Sequence, residues 1–359
     1  MANNILKKEG NLRIKDIARL AGVSEGTVDR VLHNRGNVSD TAYAKVNEVL
    51  NKINYKPNLI ARSLGRGLKK KVAVLIIKPN DDPYWNAAHE GIIQAREEWQ
   101  QYGVTIETYF YLHDGDTSIE NVVRTIIINK PDGVVLAPLF HIQALHAVEE
   151  LKENHIPYVL FNANIPESSP LGFIGQDLYQ SGKLAGFLCS LGQHTDDCYA
   201  ILSVGEDTKE SVYLMEKERG FREFYASNFS HHDINSYVLE MGTPEFYNCI
   251  DKLLADDKLK GIYVTTSNAT SPIAEKISNS KRRDIRLIGY DLLDNNLKYL
   301  EEGIISFLIS QNPKKQAFRG IGYMVNYLLF NKEVPQLDLF PLEIISQHNV
   351  DSYIDLTVH

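Results

Sequence analysis

Tyr84, Trp85, Asn162, Asn268, Asp291 and Gln311 are aromatic, amide and carboxylate side chains of the kind that hold a polyhydroxylated small molecule. Ring faces pack on aromatic planes, while hydroxyls pair with carboxylate oxygens and with both ends of an amide. What singles these six out is position: they fall within or close behind Asn80–Trp85, Leu139, Asn162, Asn268, Asp291 and Gln311, the points where runs that read as buried strands give way to loops. Ligands of open parallel sheets sit beyond the carboxyl ends of the strands, so such positions are the natural candidates.

Other chemistries find no support. Gly175 to Lys183 has a glycine spacing unlike a phosphate loop, and Leu184 stands where Ser or Thr would hold magnesium. There is no G-x-S-x-G elbow and no H-E-x-x-H pair. Cys189, Cys198 and Cys249 are odd in number and lack C-x-x-C spacing, which argues against a disulfide framework or a zinc site. His113 to Asp116 and Ser230 to Asp233 group polar residues in predicted turns, where solvated His and Asp are common. Neither an enzyme nor a cofactor or metal site is expected.

The elements that must position the six residues alternate in type. Val72 to Ile77 is a continuous apolar run, as a strand covered on both faces requires. A helix at 84–101, a strand at 105–111, a helix at 117–129, a strand at 133–137, a helix at 140–154 and a strand at 158–161 follow. After Phe173–Gly175 the series restarts, with strands near 199–203, 236–239, 261–265 and 286–290. Such alternation predicts α/β architecture with two parallel sheets, hence two lobes and a cleft.

The beginning of the chain reads differently. Ile14, Ile17, Ala18 and Ala21 recur at helical spacing, Gly22 stops that helix, and Ser24 can cap a second one carrying Val28, Val31 and Leu32 inward. A third helix after Ser39 buries Val46, Val49, Leu50 and Ile53. This is the helix-turn-helix plan. The expected division is a helix-turn-helix domain at 1–56, a hinge helix and linker at 57–70, and a two-lobed domain at 71–359. The net charge of -8 is unevenly spread: residues 1 to 71 hold 15 Lys and Arg against 6 Asp and Glu, leaving +9 on this part and -17 on the remainder. A basic helix-turn-helix suits a polyanion, and the acidic remainder avoids one. The first residues lack an apolar signal core, and no apolar run approaches the roughly 18 residues of a membrane span. The expectation is a cytoplasmic protein with no membrane partner.

The run Ile14-Lys-Asp-Ile-Ala-Arg-Leu-Ala-Gly-Val-Ser-Glu-Gly-Thr-Val-Asp-Arg-Val31, with Asn54-Tyr-Lys-Pro-Asn58 and Ala61-Arg-Ser-Leu64, resembles the DNA-binding head and hinge of the lactose-repressor family of bacterial regulators. The resemblance implies double-stranded operator DNA as partner, bound by a homodimer. It places Ser24, Glu25, Gly26, Thr27, Asp29, Arg30 and His33 at the major groove, where Arg30 could fork onto guanine and Glu25 or Asp29 accept from cytosine. It further implies that Asn58, Ala61 and Leu64 lie on a hinge helix, with Leu64 wedged into the minor groove. The family carries bulkier side chains where this chain has Glu25 and Gly26.

Residues 71 to 346 resemble the periplasmic sugar-binding-protein fold that forms the effector domain of the same family. The matches are Asp82-Pro-Tyr-Trp85, Ile156-Pro-Tyr-Val-Leu-Phe-Asn162, Asp177 with Gly182-Lys-Leu-Ala185, Arg219-Gly-Phe221, Ile288-Gly-Tyr-Asp291 and Ser310-Gln-Asn-Pro313. The implied effector is a small sugar or sugar derivative held by the six residues above, with Asp291 central. Two departures stand out. The family's Asp-Arg pair is Asn162-Ala163 here, and its Arg six residues before the Gly-Phe aromatic is Met215. Two guanidinium forks are therefore absent, which implies a ligand different from, or larger than, the simplest free sugars. A transport-associated sugar receptor is the alternative reading.

Overall fold

The computed structural model describes residues 14–32, 36, 38–53, 69–79, 82–112, 115–192, 197–205, 211–229, 233–280 and 282–354. The chain divides into two compact units between Leu68 and Lys69. The expected sites at His33, Asn58, Ala61 and Leu64, the hinge helix and Asn80 lie outside the described residues, as does part of each His and Asp turn.

In the first unit, helices α1 (Ile14–Ala21), α2 (Glu25–Leu32) and α3 (Asp40–Lys52) enclose a core of Ile17, Ala18, Ala21, Val28, Val31 and Val46. The joint between α1 and α2 follows from two residues. Gly22 takes φ +64°, which glycine adopts without a Cβ clash, so Val23 N–H can reach back to the Ala18 carbonyl at 3.0 Å. Ser24 Oγ then accepts from Thr27 N–H at 3.1 Å and caps α2. On α3, Ser39 caps in the same way.

The second unit holds two six-stranded sheets. Strands β1 (Lys70–Ile77), β2 (Val104–Tyr111), β3 (Gly133–Leu136), β4 (Tyr158–Asn162) and β5 (Phe173–Gly175) belong to the first, joined late in the chain by β11 (Leu337–Leu339), in the order β11-β5-β4-β3-β1-β2. Strands β6 (Cys198–Val204), β7 (Asp233–Leu239), β8 (Leu259–Val264), β9 (Arg286–Tyr290) and β10 (Ile305–Ser310), with β12 (Glu343–Ile345), form the second, ordered β12-β10-β9-β8-β6-β7. Every pairing is parallel except that of β10 with β12. The chain therefore crosses between lobes three times, after β5, after β10 and after β11.

Period-two burial assigns the faces. Along β1, Val72, Val74 and Ile76 enter one core and Ala73 and Leu75 the other. The first of these cores is covered by α4 (Pro83–Trp99) and by α12 (Pro313–Phe330), which returns to the first lobe after the second has been built. The second is covered by α5 (Ile119–Ile128) and α6 (His141–Glu153). On the second sheet, α7 (Leu178–Ser190) and α8 (Val212–Asn228) cover one face. Helices α9 (Pro244–Leu254), α10 (Thr270–Ser280) and α11 (Asp294–Glu301) cover the other. Several ends differ from expectation: β7 begins at Asp233, and the predicted helix at 117–129 is α5 alone, preceded by a 3-10 turn at Gly115–Thr117. The short edge strands β11 and β12 are additions with little periodicity of their own. No helix among the described residues is long and apolar enough to cross a membrane.

Each lobe contains one helix crossing that only glycine permits. A Cβ on Gly91 of α4 would lie 2.1 Å from the Lys314 carbonyl oxygen of α12. Between α7 and α8 the relation is reciprocal: a Cβ on Gly182 would meet the Lys217 oxygen at 1.9 Å, and one on Gly220 the Tyr179 oxygen at 2.0 Å. Backbone thus rests on backbone at these points, and this contact fixes where Lys217 stands.

Candidate functional site

A cleft of about 690 Å³ opens between the lobes. On the first lobe, Asp82 caps α4, its carboxylate accepting from Tyr84 N–H at 2.9 Å, and Pro83 supplies a preset φ at the first helical turn. That start turns Tyr84 and Trp85 toward the cleft while both rings also pack into the lobe's core, edge to face at 5.1 Å. Tyr84 Oη donates to Asn162 Oδ1 at 2.5 Å. Asn162 ends β4 with φ +69°, a conformation asparagine tolerates better than most side chains, and its N–H is held by Gln316 Oε1 at 3.0 Å. Gln316 also donates to the Gln311 carbonyl at 2.7 Å, tying Asn162 to a crossover.

Asn268 comes from the second lobe and reaches Asp82 Oδ2 at 3.4 Å across the cleft. Burial raises the Asp82 carboxyl above its ordinary value, against the hydrogen bonds from the backbone of Tyr84 and Trp85. Five of the six residues expected from the sequence, Tyr84, Trp85, Asn162, Asn268 and Gln311, line this one cleft.

Asp291 is placed one layer behind it. At φ +61° after β9, its side chain is buried and its oxygens accept from Ser267 Oγ at 2.6 Å, Gln311 N–H at 2.7 Å and Gln311 Nε2 at 2.7 Å. Asn296 fastens the same turn by donating to the carbonyls of Ser267, Tyr290 and Asp291. Asp291 therefore orients Ser267 and Gln311, both of which do face the cleft.

The other end of the Gln311 amide meets a residue that sequence reasoning missed. Lys217 is only 1% exposed; its Nζ donates to the Thr265 carbonyl at 2.9 Å and to Gln311 Oε1 at 3.5 Å. The ammonium lies 3.5 Å from the ring centroid of Tyr290, whose hydroxyl is shared with Ser181 and Tyr263 at 2.7 Å each. Gln311 is thus held with its N–H toward a carboxylate and its oxygen toward an ammonium, which fixes its amide orientation. Burial pushes Lys217 down to about 7, with Asp291 opposing the shift, and raises Asp291 despite its hydrogen bonds. Tyr213 of α8 also lines the cleft. The arrangement offers aromatic faces, amides and fixed hydrogen-bond donors.

In the first unit, Ser24, Glu25, Gly26 and Arg30 are exposed, and Thr27 and Asp29 partly so. Glu25, Gly26, Asp29 and Arg30 share the outward side of α2, opposite Val28 and Val31, while Ser24 caps the helix and Thr27 flanks the buried stripe. A Cβ on Gly26 would meet only Ser24 Oγ, at 3.8 Å, so its absence is not demanded by packing.

Residues 13–58 match the model for bacterial regulatory proteins of the lacI family, and residues 72–333 match the periplasmic binding protein domain. The chain belongs to the lacI family of bacterial regulatory proteins. It is a DNA-binding transcription regulator built on that family's two-part plan. Similar members are the sucrose operon repressor of Streptococcus mutans, 23% identical over 94% of this chain and 99% of that protein, and the ribose operon repressor of Lactococcus lactis, 25% identical over 77% and 80%. Among solved structures, a putative LacI transcriptional regulator from Bacteroides fragilis superposes with a TM-score of 0.73 at 26% identity, covering 80% of this chain and all of that one. In this lacI-family chain the departure at Met215 takes physical form. Met215 is 58% exposed and outside the cleft wall, whereas Lys217, two residues on, supplies the cation inside it.

Proposed function

We propose that this regulator is a repressor that binds an inverted-repeat operator as a homodimer, and that a carbohydrate-like effector in the cleft sets its operator affinity. Glu25, Gly26, Asp29 and Arg30 would face the major groove, because they share the exposed side of a capped second helix, with Ser24 and Thr27 at its N-terminal end beside them. The names of the sucrose and ribose operon repressors support both the repressor role and the ligand class.

The observation that carries the effector reading is the position of Gln311. It sits on a crossover, faces the cleft, and is locked between Asp291 and Lys217 of the second lobe, opposite the Tyr84–Asn162 pair of the first. A ligand that touches both sets favours the closed arrangement, and an effector acts only through such differential affinity. Asp291 contributes by holding Gln311 and Ser267 in place. Calorimetric titration with sugars should show that Gln311→Leu weakens binding by about 2 to 3 kcal/mol, since ligand hydroxyls and the Asp291 carboxylate both lose a partner. Operator affinity without sugar, followed by fluorescence anisotropy, should stay as in the parent protein. Equal sugar affinity in the two proteins would remove the cleft assignment.

A further inference from the structure

A second cavity, of about 370 Å³, lies beside the crossovers, with Leu139, Asn164, Gln176, Tyr179, Tyr213 and Glu216 in its wall. Leu139 and Tyr213 also line the first cleft, so the two spaces meet around these side chains. We propose that this cavity is a subsite for the second ring of a di- or oligosaccharide effector whose first ring lies in the main cleft. The inference rests on the carbohydrate reading of that cleft and extends it.

Size is the first support. Small-molecule pockets of roughly 300 to 1,000 Å³ are usual, and each of these two spaces falls within that range. Ala163 stands in the wall of the second cavity, and its short side chain leaves the space open.

Chemistry is the second. Gln176 is 3% exposed, and its Nε2 donates to the carbonyls of Ser310 at 2.7 Å and Pro341 at 2.9 Å. These two bonds fix the amide orientation and leave Oε1 without a hydrogen-bond partner among the described residues. Asn164 Oδ1 is in the same condition. Both oxygens lie just beneath the wall with almost no accessible surface, and an unused buried acceptor is costly. The wall also carries the carboxylates of Asp177 and Glu216, the latter paired with Arg219 at 2.6 Å, beside His141. Apolar surface from Leu139, Ile165 and Tyr213 suits a sugar ring face.

Position is the third. Gln176 lies on the first crossover and grips the other two through Ser310 and Pro341. Tyr179, Tyr213 and Glu216 belong to the second lobe, Leu139 and Asn164 to the first. A second ring would therefore touch both lobes at the point about which they close, and gain affinity from closure.

Calorimetry on the whole protein tests this with sucrose, maltose and cellobiose against glucose and fructose. At least one disaccharide should bind about tenfold more tightly than either single ring. Ala163→Phe, which fills the second cavity, should bring that disaccharide to the single-ring affinity and leave the single rings unchanged. Leu337→Trp, on the exposed edge strand in the same wall, should act in the same direction without entering a core. Disaccharides that bind no better than single rings, or variants that weaken both classes alike or neither, overturn the subsite. Wild-type protein that binds none of the five sugars removes the carbohydrate reading of the cleft and this inference with it.

Discussion

Lys217 shows how one side chain ties fold and ligand response together. Its ordinary value is 10.5 and burial lowers it to about 7. Between those values the unfolded chain holds a proton that the native one has released, so stability rises as pH climbs from about 7 toward 10.5. Below 7 both states are protonated and the burial penalty is fully present. Lys217→Met should abolish this dependence: thermal melts at pH 6 and pH 9 should differ less in the variant, with its advantage over the parent greater at pH 6. A parallel shift of both proteins would mean that Lys217 is not the titrating group. The residue was open to sequence reading, because Lys217, Phe221 and Tyr225 lie at i, i+4 and i+8 and are all buried. A lysine on an apolar stripe is a signal of function or pairing. The retreat of Asp291 behind Gln311 could not be read, since Ser267 and Gln311 lie 24 and 20 residues away and only the folded register brings them together. Tyr84, Trp85, Asn162, Asn268 and Gln311 were legible because each ends or follows a strand, and strand ends are where a parallel sheet presents side chains to ligand.

At the scale of elements, glycine decides how close helices come. Gly220→Ala should push α8 from α7 because the new Cβ has a backbone oxygen, and no yielding side chain, at 2.0 Å. Overpacking of this kind costs about 1 to 3 kcal/mol, and here it would also displace Lys217 and weaken sugar binding. Gly26→Ala is the matching control: with open space around it, it should stabilise the head by roughly 0.5 to 1 kcal/mol through helix propensity. Denaturant melts of the three proteins separate these outcomes, and an unperturbed Gly220→Ala variant would show that the crossing can relax. The strands of both lobes were readable from continuous apolar runs, as in Val72 to Ile76, all buried. The edge strands β11 and β12 were not, because three residues carry too little pattern and their pairing is set by chain segments far away.

For the whole molecule, charge is divided along the chain, +9 on the first 71 residues and -17 on the rest. Operator binding should therefore fall steeply as salt rises, because each Lys or Arg contact to phosphate releases counterions. Anisotropy titrations between 50 and 200 mM salt should show a loss on the order of a thousandfold if six or more phosphates are engaged. An affinity indifferent to salt would exclude phosphate contacts as the main source of binding. The order of segments has a separate consequence. The inner face of the first sheet, with Val135, Phe161 and Ile174, is closed by Ala317, Ile321 and Met324 of α12, which are made only after the entire second sheet up to β10. During synthesis the earlier lobe must wait, the part of its oily face that α4 does not cover left bare, while more than a hundred further residues leave the ribosome. At roughly 5 to 20 residues per second that interval lasts many seconds, and it is the period in which a chaperone has most to protect.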